Sequence, residues 1–313
     1  MEQWNRTIVT EFILQGFHLI PELEICLFVI FLLIYLLTLM GNLLIIVLVC
    51  SDHHLHMPMY YFLCNFSFLE IVITTTVVPK MLTNLLAKKK TISFLGCMTQ
   101  SFFYFLMGTI EFFVISAMAF DRYVAICNPL HYSTILRWRV CHYLILCSWL
   151  GGFLSISTPT VLKLQLPFCG PNVINHFFCD SGPLIKLACT DTRFIQLLDF
   201  FLFSFVVLSS LILTMVSYIY ITVTILRIPS SSGRKKAFST CAAHLIIVAL
   251  GFGSTIFIYV TPFQGSSLGI NKLICVLTVF VTPALSPFIF TLKNEKVKEV
   301  LKNAIAKRLM YIC

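Results

Sequence analysis

Met118-Ala119-Phe120-Asp121-Arg122-Tyr123-Val124-Ala125-Ile126-Cys127 decides how this chain is read. It closes a run from Cys97 to Phe120 in which Glu111 is the only charge, and there an acid, a base and a phenol stand side by side. Neither an Asp nor an Arg is tolerated deep in hydrocarbon unless paired, so the pair belongs where an apolar helix meets water. Taken alone, Asp-Arg-Tyr marks a membrane boundary and nothing more.

The composition agrees with a lipid setting. Of 313 residues, 58% are hydrophobic and only 11% charged, against roughly a quarter charged in soluble chains, so a soluble enzyme is excluded. A net charge of +9 raises nucleic acid as a partner, but no RNA-binding signature or suitable basic helix is present. The basic residues sit between apolar runs, where contact with membrane lipids accounts for them.

Seven segments are long enough to cross ~30 Å of hydrocarbon as helices. They fall at about Ile25–Cys50, Pro58–Pro79, Cys97–Phe120, Val140–Val161, Asp199–Leu226, Ala237–Val260 and Leu273–Leu292. Backbone groups in lipid must be satisfied within the segment, and the weak alternation of a barrel strand is absent. The expected fold is therefore an all-α membrane protein, a seven-transmembrane helix bundle. Residues 1–24 read as a short polar tail, residues 25–292 as the body, and residues 293–313 as a tail with a short amphipathic helix against the inner leaflet. No second domain or internal repeat is evident. The first apolar run is too long for the core of a cleavable signal and reads as a spanning anchor.

An odd number of spans puts the two termini on opposite sides. With the N-terminus outside, thirteen of the 22 Lys and Arg residues fall inside, a real but weak positive-inside bias. The run Lys88-Lys89-Lys90 opposes it. Asn5-Arg6-Thr7, an N-glycosylation acceptor, and the cluster Cys169, Cys179 and Cys189 in one polar stretch both belong outside, the cluster because disulfides need an oxidising face. With Cys97 at the outer start of the third span there are four such cysteines, and their three connectivities stay open.

Catalytic signals are poor. Gly265-Ser266-Ser267-Leu268-Gly269 fits the spacing of a nucleophile elbow but lacks the strand and helix that give it meaning. His53-His54-Leu55-His56 reads as a solvated turn rather than a metal site. His176-Phe177-Phe178-Cys179-Asp180 resembles a metal-binding fragment, ranked below a disulfide at Cys179. Glu70 and Glu111 are each the lone acid of a span. Carboxylates so placed either share a proton or gather a cation.

Several short motifs then recur in order. Gly41-Asn42 lies in the first span, Pro58-Met59-Tyr60-Tyr61-Phe62-Leu63 opens the second, and Ser217-Tyr218 lies in the fifth. Lys236-Ala237-Phe238-Ser239-Thr240-Cys241-Ala242-Ala243-His244-Leu245 opens the sixth. Each is weak singly. Together with Met118–Cys127 they resemble the olfactory receptors, a branch of the rhodopsin-like G protein-coupled receptors. The resemblance implies disulfides Cys97–Cys179 and Cys169–Cys189, and a sodium-type site at Glu70 and Glu111. No other cofactor is implied. It also implies a small-molecule odorant as ligand, and a heterotrimeric G protein of the stimulatory olfactory type as partner, raising cyclic AMP. The chain would then sit in the cell membrane as a multi-pass receptor, not an enzyme.

On that resemblance, an odorant pocket is expected from Tyr104, Phe105, Gly108, Thr109 and Phe112 of the third span. Leu202 and Val206 of the fifth, and Phe252, Thr255 and Tyr259 of the sixth, complete it. Coupling falls to Asp121, Arg122, Tyr123, Tyr218, His244, Ser286 and Phe290, with Asp121 holding Arg122 at rest. Four positions depart from the family's usual residues. Glu70 and Ser286 stand where Asp and Asn are usual, and Phe120 and Phe290 stand where Tyr is usual. Two other readings compete, a non-olfactory rhodopsin-like receptor and a small transporter or channel. Against an amine receptor, the outer third span has no Asp. Against a transporter, inverted repeats are missing.

Overall fold

The computed structural model describes residues 9–17, 20–169, 171–260, 268–293 and 295–312. Asn5, and Gly265 to Ser267 of the elbow-like motif, lie outside them. Seven long helices and one shorter one follow in order. They are α1 (Pro21–Ser51), α2 (Pro58–Leu86), α3 (Phe94–Cys127), α4 (Trp138–Leu164) and α5 (Arg193–Leu226). Then come α6 (Ser231–Thr255, continued by the wider turn Ile256–Val260), α7 and α8 (Glu295–Ile312). Helix α7 comprises Leu268–Val276, the wider turn Leu277–Val281 and Thr282–Lys293. Six described helices are long and apolar enough to span a membrane, and α6 makes a seventh when its halves, bent 44° to one another, count as one span. The protein is a helical membrane bundle with a short helix at its end.

Most helices outrun the apolar segments that announced them. Helix α2 passes through Pro79 to Leu86, and α5 starts at Arg193, six residues before Asp199. Once a helix is nucleated, each further residue adds a hydrogen bond, so the apolar run marks only the part in lipid. Pro79 does not end α2, because an interior proline in a membrane helix is tolerated where neighbours satisfy the freed carbonyl. Start signals are local. Pro58 and Pro21 sit in the first turn of their helices, where a missing N–H costs nothing. The Ser93 hydroxyl caps α3 by accepting from Gly96 N at 3.1 Å.

Helix α3 is the axle. In its most apolar window 61% of residues are buried inside the protein, against 11% for α1, which faces outward. It packs along α2, α4 and α5. Gly152 of α4 lets Ile110 of α3 approach, since a Cβ there would stand 2.6 Å from its Cγ1. Helix α1 is tied to α7 instead: the Asn42 amide donates to Thr38 O at 3.0 Å and to Pro283 O at 3.2 Å, so the motif asparagine joins two helices.

One end of the bundle carries a small sheet that the polar-tail reading missed. Strand β1 (Glu11–Leu14) lies between β2 (Thr91–Ser93), antiparallel to it, and β3 (Val173–Ile174), parallel to it. Phe12 and Leu14 alternate inward, 0% and 1% exposed, against Ile92, Met98, Phe168 and Leu184. The exposed position between them is the apolar Ile13, so the sequence shows no apolar–polar alternation to mark the strand. At the same end Lys90 pairs with Glu24, which gives one of three awkward lysines a partner. Cys97 bonds Cys179 and Cys169 bonds Cys189, their Cα atoms 5.4 and 5.7 Å apart.

Candidate functional site

Two of the cavities among the described residues take in the expected pocket residues; Phe105, Phe203 and Tyr259 line both, and the rings of Phe105 and Tyr259 meet edge to face at 5.7 Å. The larger, about 240 Å³, lies among α3, α4, α5 and the loop before α5. Phe105, Thr109, Leu202, Val206 and Tyr259 of the expected pocket line it. The smaller, about 70 Å³, lies among α3, α6 and α7 and takes Tyr104, Phe105, Gly108, Phe112, Thr255 and Tyr259. Phe252 lines neither and instead packs on Phe112, with ring centroids 4.8 Å apart.

The sequence reading overlooked the wall supplied by α4, the loop and the first turns of α5: Ile156, Thr160, Lys163, Ser181 and Asp199. The signal was there. Lys163 closes one span and Asp199 opens the next, and opposite charges at neighbouring ends of helices invite a pair. Lys163 Nζ lies 2.7 Å from Asp199 Oδ2, which also accepts from the Ser181 hydroxyl at 2.8 Å. Nearby, Tyr259 OH donates to Asp180 Oδ1 at 3.3 Å. Burial pushes the Asp180 carboxyl up to about 6, although the Tyr259 bond and the Lys163 charge oppose the rise.

His176, in the same loop, is 2% exposed, with its ring centroid 4.6 Å from those of both Phe177 and Phe178. Neither ring nitrogen has a hydrogen-bond partner, and burial, aided by the Lys272 charge, holds the imidazole down at about 3. Cys179 is consumed by its disulfide, so His176 and Cys179 do not act as a metal pair. Among the described residues no group of three or more His, Cys, Asp or Glu side chains could hold a metal. The turn at His53–His56 is held instead by Asp52, whose Oδ1 accepts from His54 N at 2.8 Å.

In mid-bundle Glu70 is 1% exposed and its Oε1 has no partner. Glu111 acts on it electrostatically, and Ser286 stands within hydrogen-bonding reach of it. Two carboxyls and an unfilled acceptor are compatible with a small cation. Ser286 donates to Pro283 O at 3.3 Å, an orientation its short side chain permits.

At the opposite end, Asp121 feels the charge of Arg122 and has a second partner. Its Oδ1 accepts from Tyr132 OH at 2.7 Å, and no ion pair between Asp121 and Arg122 is formed among the described residues. Consecutive helix residues do not face one another, so the acid turns toward the following loop. Tyr218 and the His244 ring nitrogen Nδ1 lie 2.6 Å apart, joining α5 to α6, and the Arg122 charge acts on both. Tyr123 packs on Tyr220 at 5.8 Å. Phe290 meets Phe66 edge to face at 5.8 Å, while Phe120, 36% exposed, lies with its ring centroid 6.3 Å from that of Tyr123.

Six long apolar helices and a bent seventh, a ligand-sized chamber at one end and, at the other, a Tyr218–His244 contact under the charge of Arg122 describe a membrane receptor. A family model described as olfactory receptor matches residues 31–308. The human olfactory receptor 6J1 is 56% identical over 97% of this chain and 87% of its own length. The mouse olfactory receptor 6E1 is 51% identical over 97% of each. The human olfactory receptor 6C4 is 48% identical over 97% of this chain and 98% of its own. The chain belongs to the olfactory receptor family. It is a receptor and not an enzyme.

Proposed function

We propose that this chain is an odorant receptor of the cell membrane, with its N-terminus and disulfides outside, that raises cyclic AMP through a stimulatory olfactory-type heterotrimeric G protein. The carrying observation is the chamber of about 240 Å³ whose wall is apolar apart from a few convergent polar groups. Such a wall suits small volatile molecules, since burial supplies affinity and a few polar contacts fix orientation.

Helices α3 and α5 connect that chamber to the far end. The Ser116 hydroxyl donates to Ser210 O at 3.0 Å, between the chamber residues Thr109 and Val206 and the Arg122–Tyr218 cluster. A ligand that prefers one packing of α3 against α5 and α6 shifts a two-state equilibrium by its differential affinity. In the favoured state α6 swings outward, the Tyr218–His244 contact yields, and Arg122 becomes available to the G protein's terminal helix. Glu70 and Glu111 hold a sodium ion in the resting state, and Asn5 carries a glycan.

The test is Arg122→Ala in cells with a cyclic AMP reporter and an odorant panel. Surface expression stays intact and the odorant response disappears. A normal response from the variant would reject this coupling role.

A further inference from the structure

The larger cavity is a sorted chamber. Ser101 and Thr109 on α3 are eight residues apart, as are Ser155 and Lys163 on α4, so the walls run ~12 Å at 1.5 Å per residue. Charge gathers at the disulfide end, where Lys163, Lys186, Asp199 and Ser181 meet. Phe105, Ile156, Leu202, Phe203 and Val206 form the middle. Thr109 stands toward the deep end, 1% exposed, with a hydroxyl that has no partner.

The charged pole is not balanced by its own pair. An ammonium carries three donors, and the 8%-exposed Lys163 spends one on Asp199. Asp199 Oδ2 already accepts from both Lys163 and Ser181. Lys186, exposed at the mouth, adds a second cation that forms no ion pair among the described residues, while the buried donors are those of Lys163. Asp180 feels the Lys163 charge, but its carboxylate accepts from Tyr259 and does not line this wall. Buried donors without acceptors are costly, so the missing partner here is an acceptor, and an anionic one.

We propose that this chamber takes an unbranched carboxylic acid of about eight to ten chain atoms, the length that fills ~12 Å. The carboxylate lies against Lys163 and Lys186 and the chain against Phe105, Leu202 and Val206. Thr109 donates to an oxygen at the far end of the chain when one is present. An amine would meet two cations and an acid already engaged, and an alcohol would leave the charge of Lys163 unused. The proposal rests on reading the chamber as the receptor's ligand site.

The test uses the purified full chain in lipid nanodiscs, without G protein, and measures affinities for nonanoate, nonan-1-ol, nonylamine and 9-hydroxynonanoate against empty discs. Nonanoate binds about tenfold or more tightly than the alcohol and the amine, as a charge-assisted bond implies, and Lys163→Gln removes that advantage. 9-Hydroxynonanoate gains about fivefold over nonanoate from one buried hydrogen bond, a gain absent in Thr109→Val. That variant preserves side-chain volume and removes an orphan hydroxyl, so it folds even if Lys163→Gln does not. Equal or tighter binding of the amine or alcohol, unchanged acid affinity in Lys163→Gln, or no acid binding at all would overturn the assignment. Acid binding without a cyclic AMP response in cells refutes the signalling role and leaves the chamber's chemistry standing. An odorant response in a protein that does not bind acids does the reverse.

Discussion

The two ends of the bundle are built on opposite principles. At the disulfide end a three-stranded sheet, two disulfides and the Lys90–Glu24 and Lys163–Asp199 pairs bind loops and helices together. At the Arg122 end the ties between elements include single hydrogen bonds, Tyr132 to Asp121, Tyr218 to His244, Tyr61 to His142 and Cys127 to Thr224. Covalent closure and burial make the first end a scaffold that keeps a chamber in shape. Isolated hydrogen bonds of about 1 kcal/mol each leave the second free to rearrange for a comparable cost.

The contrast breaks most visibly if the covalent ties are cut. Cys97 and Cys179 enclose a separation of 82 residues, and closing such a loop is worth about 4–5 kcal/mol by the chain-entropy argument. Cys97→Ser should abolish a cooperative melt of the purified protein. Cys169→Ser, which opens a separation of only 20, should cost about 3 kcal/mol and leave a lowered but cooperative transition. Equal losses at both sites would count against loop closure as the cause.

Acid sharpens the comparison next. Asp180 at about 6 binds its proton more tightly folded than unfolded, so its burial penalty is relieved as pH falls from 6 toward 4. His176 at about 3 is buried neutral, so its contribution is lost as pH falls below about 6.5. The two slopes oppose. In Asp180→Asn, melting temperature should fall more steeply than wild type between pH 6.5 and 4, and in His176→Gln less steeply. Matching profiles for all three proteins would show that neither group feels its burial.

Smaller effects are expected at the Arg122 end. Tyr132→Phe strands the buried Asp121, at about 1–3 kcal/mol, and should raise ligand-independent cyclic AMP severalfold at equal surface expression. An unchanged baseline would mean the clasp plays no part in holding the resting state. Phe290→Tyr restores a hydroxyl next to Phe66, and its expected effect, about a twofold gain in maximal odorant response, is the smallest, of the order of one net hydrogen bond. A loss of response would show the site too tightly packed for the extra oxygen.

Much of this was legible one residue at a time. The paired charges after Phe120, Pro58 at the head of α2 and the long apolar runs each report on a few neighbours and on water, so the spans could be read in order. The chamber was half legible: residues on α3, α5 and α6 were foreseen, while Lys163 and Ser181 were not, because opposite charges near two helix ends only suggest a pair and the fold has to bring Asp199 across from them. Asp121 shows the same limit. Its identity marked the membrane edge, but its hydrogen-bond partner is Tyr132, eleven residues on, beside the charge of its neighbour Arg122.

The sequence by itself determined that this chain lives in lipid as a bundle of helices, because hydrophobicity over twenty residues and the demand for internal backbone bonds are local properties. Only the tertiary structure decided that Glu11–Leu14 is a strand, that one pocket is two cavities sharing Phe105, Phe203 and Tyr259, and which side chain each buried charge meets. Those outcomes depend on distances between residues far apart in the chain, set by how α3 packs against its neighbours and by no single segment.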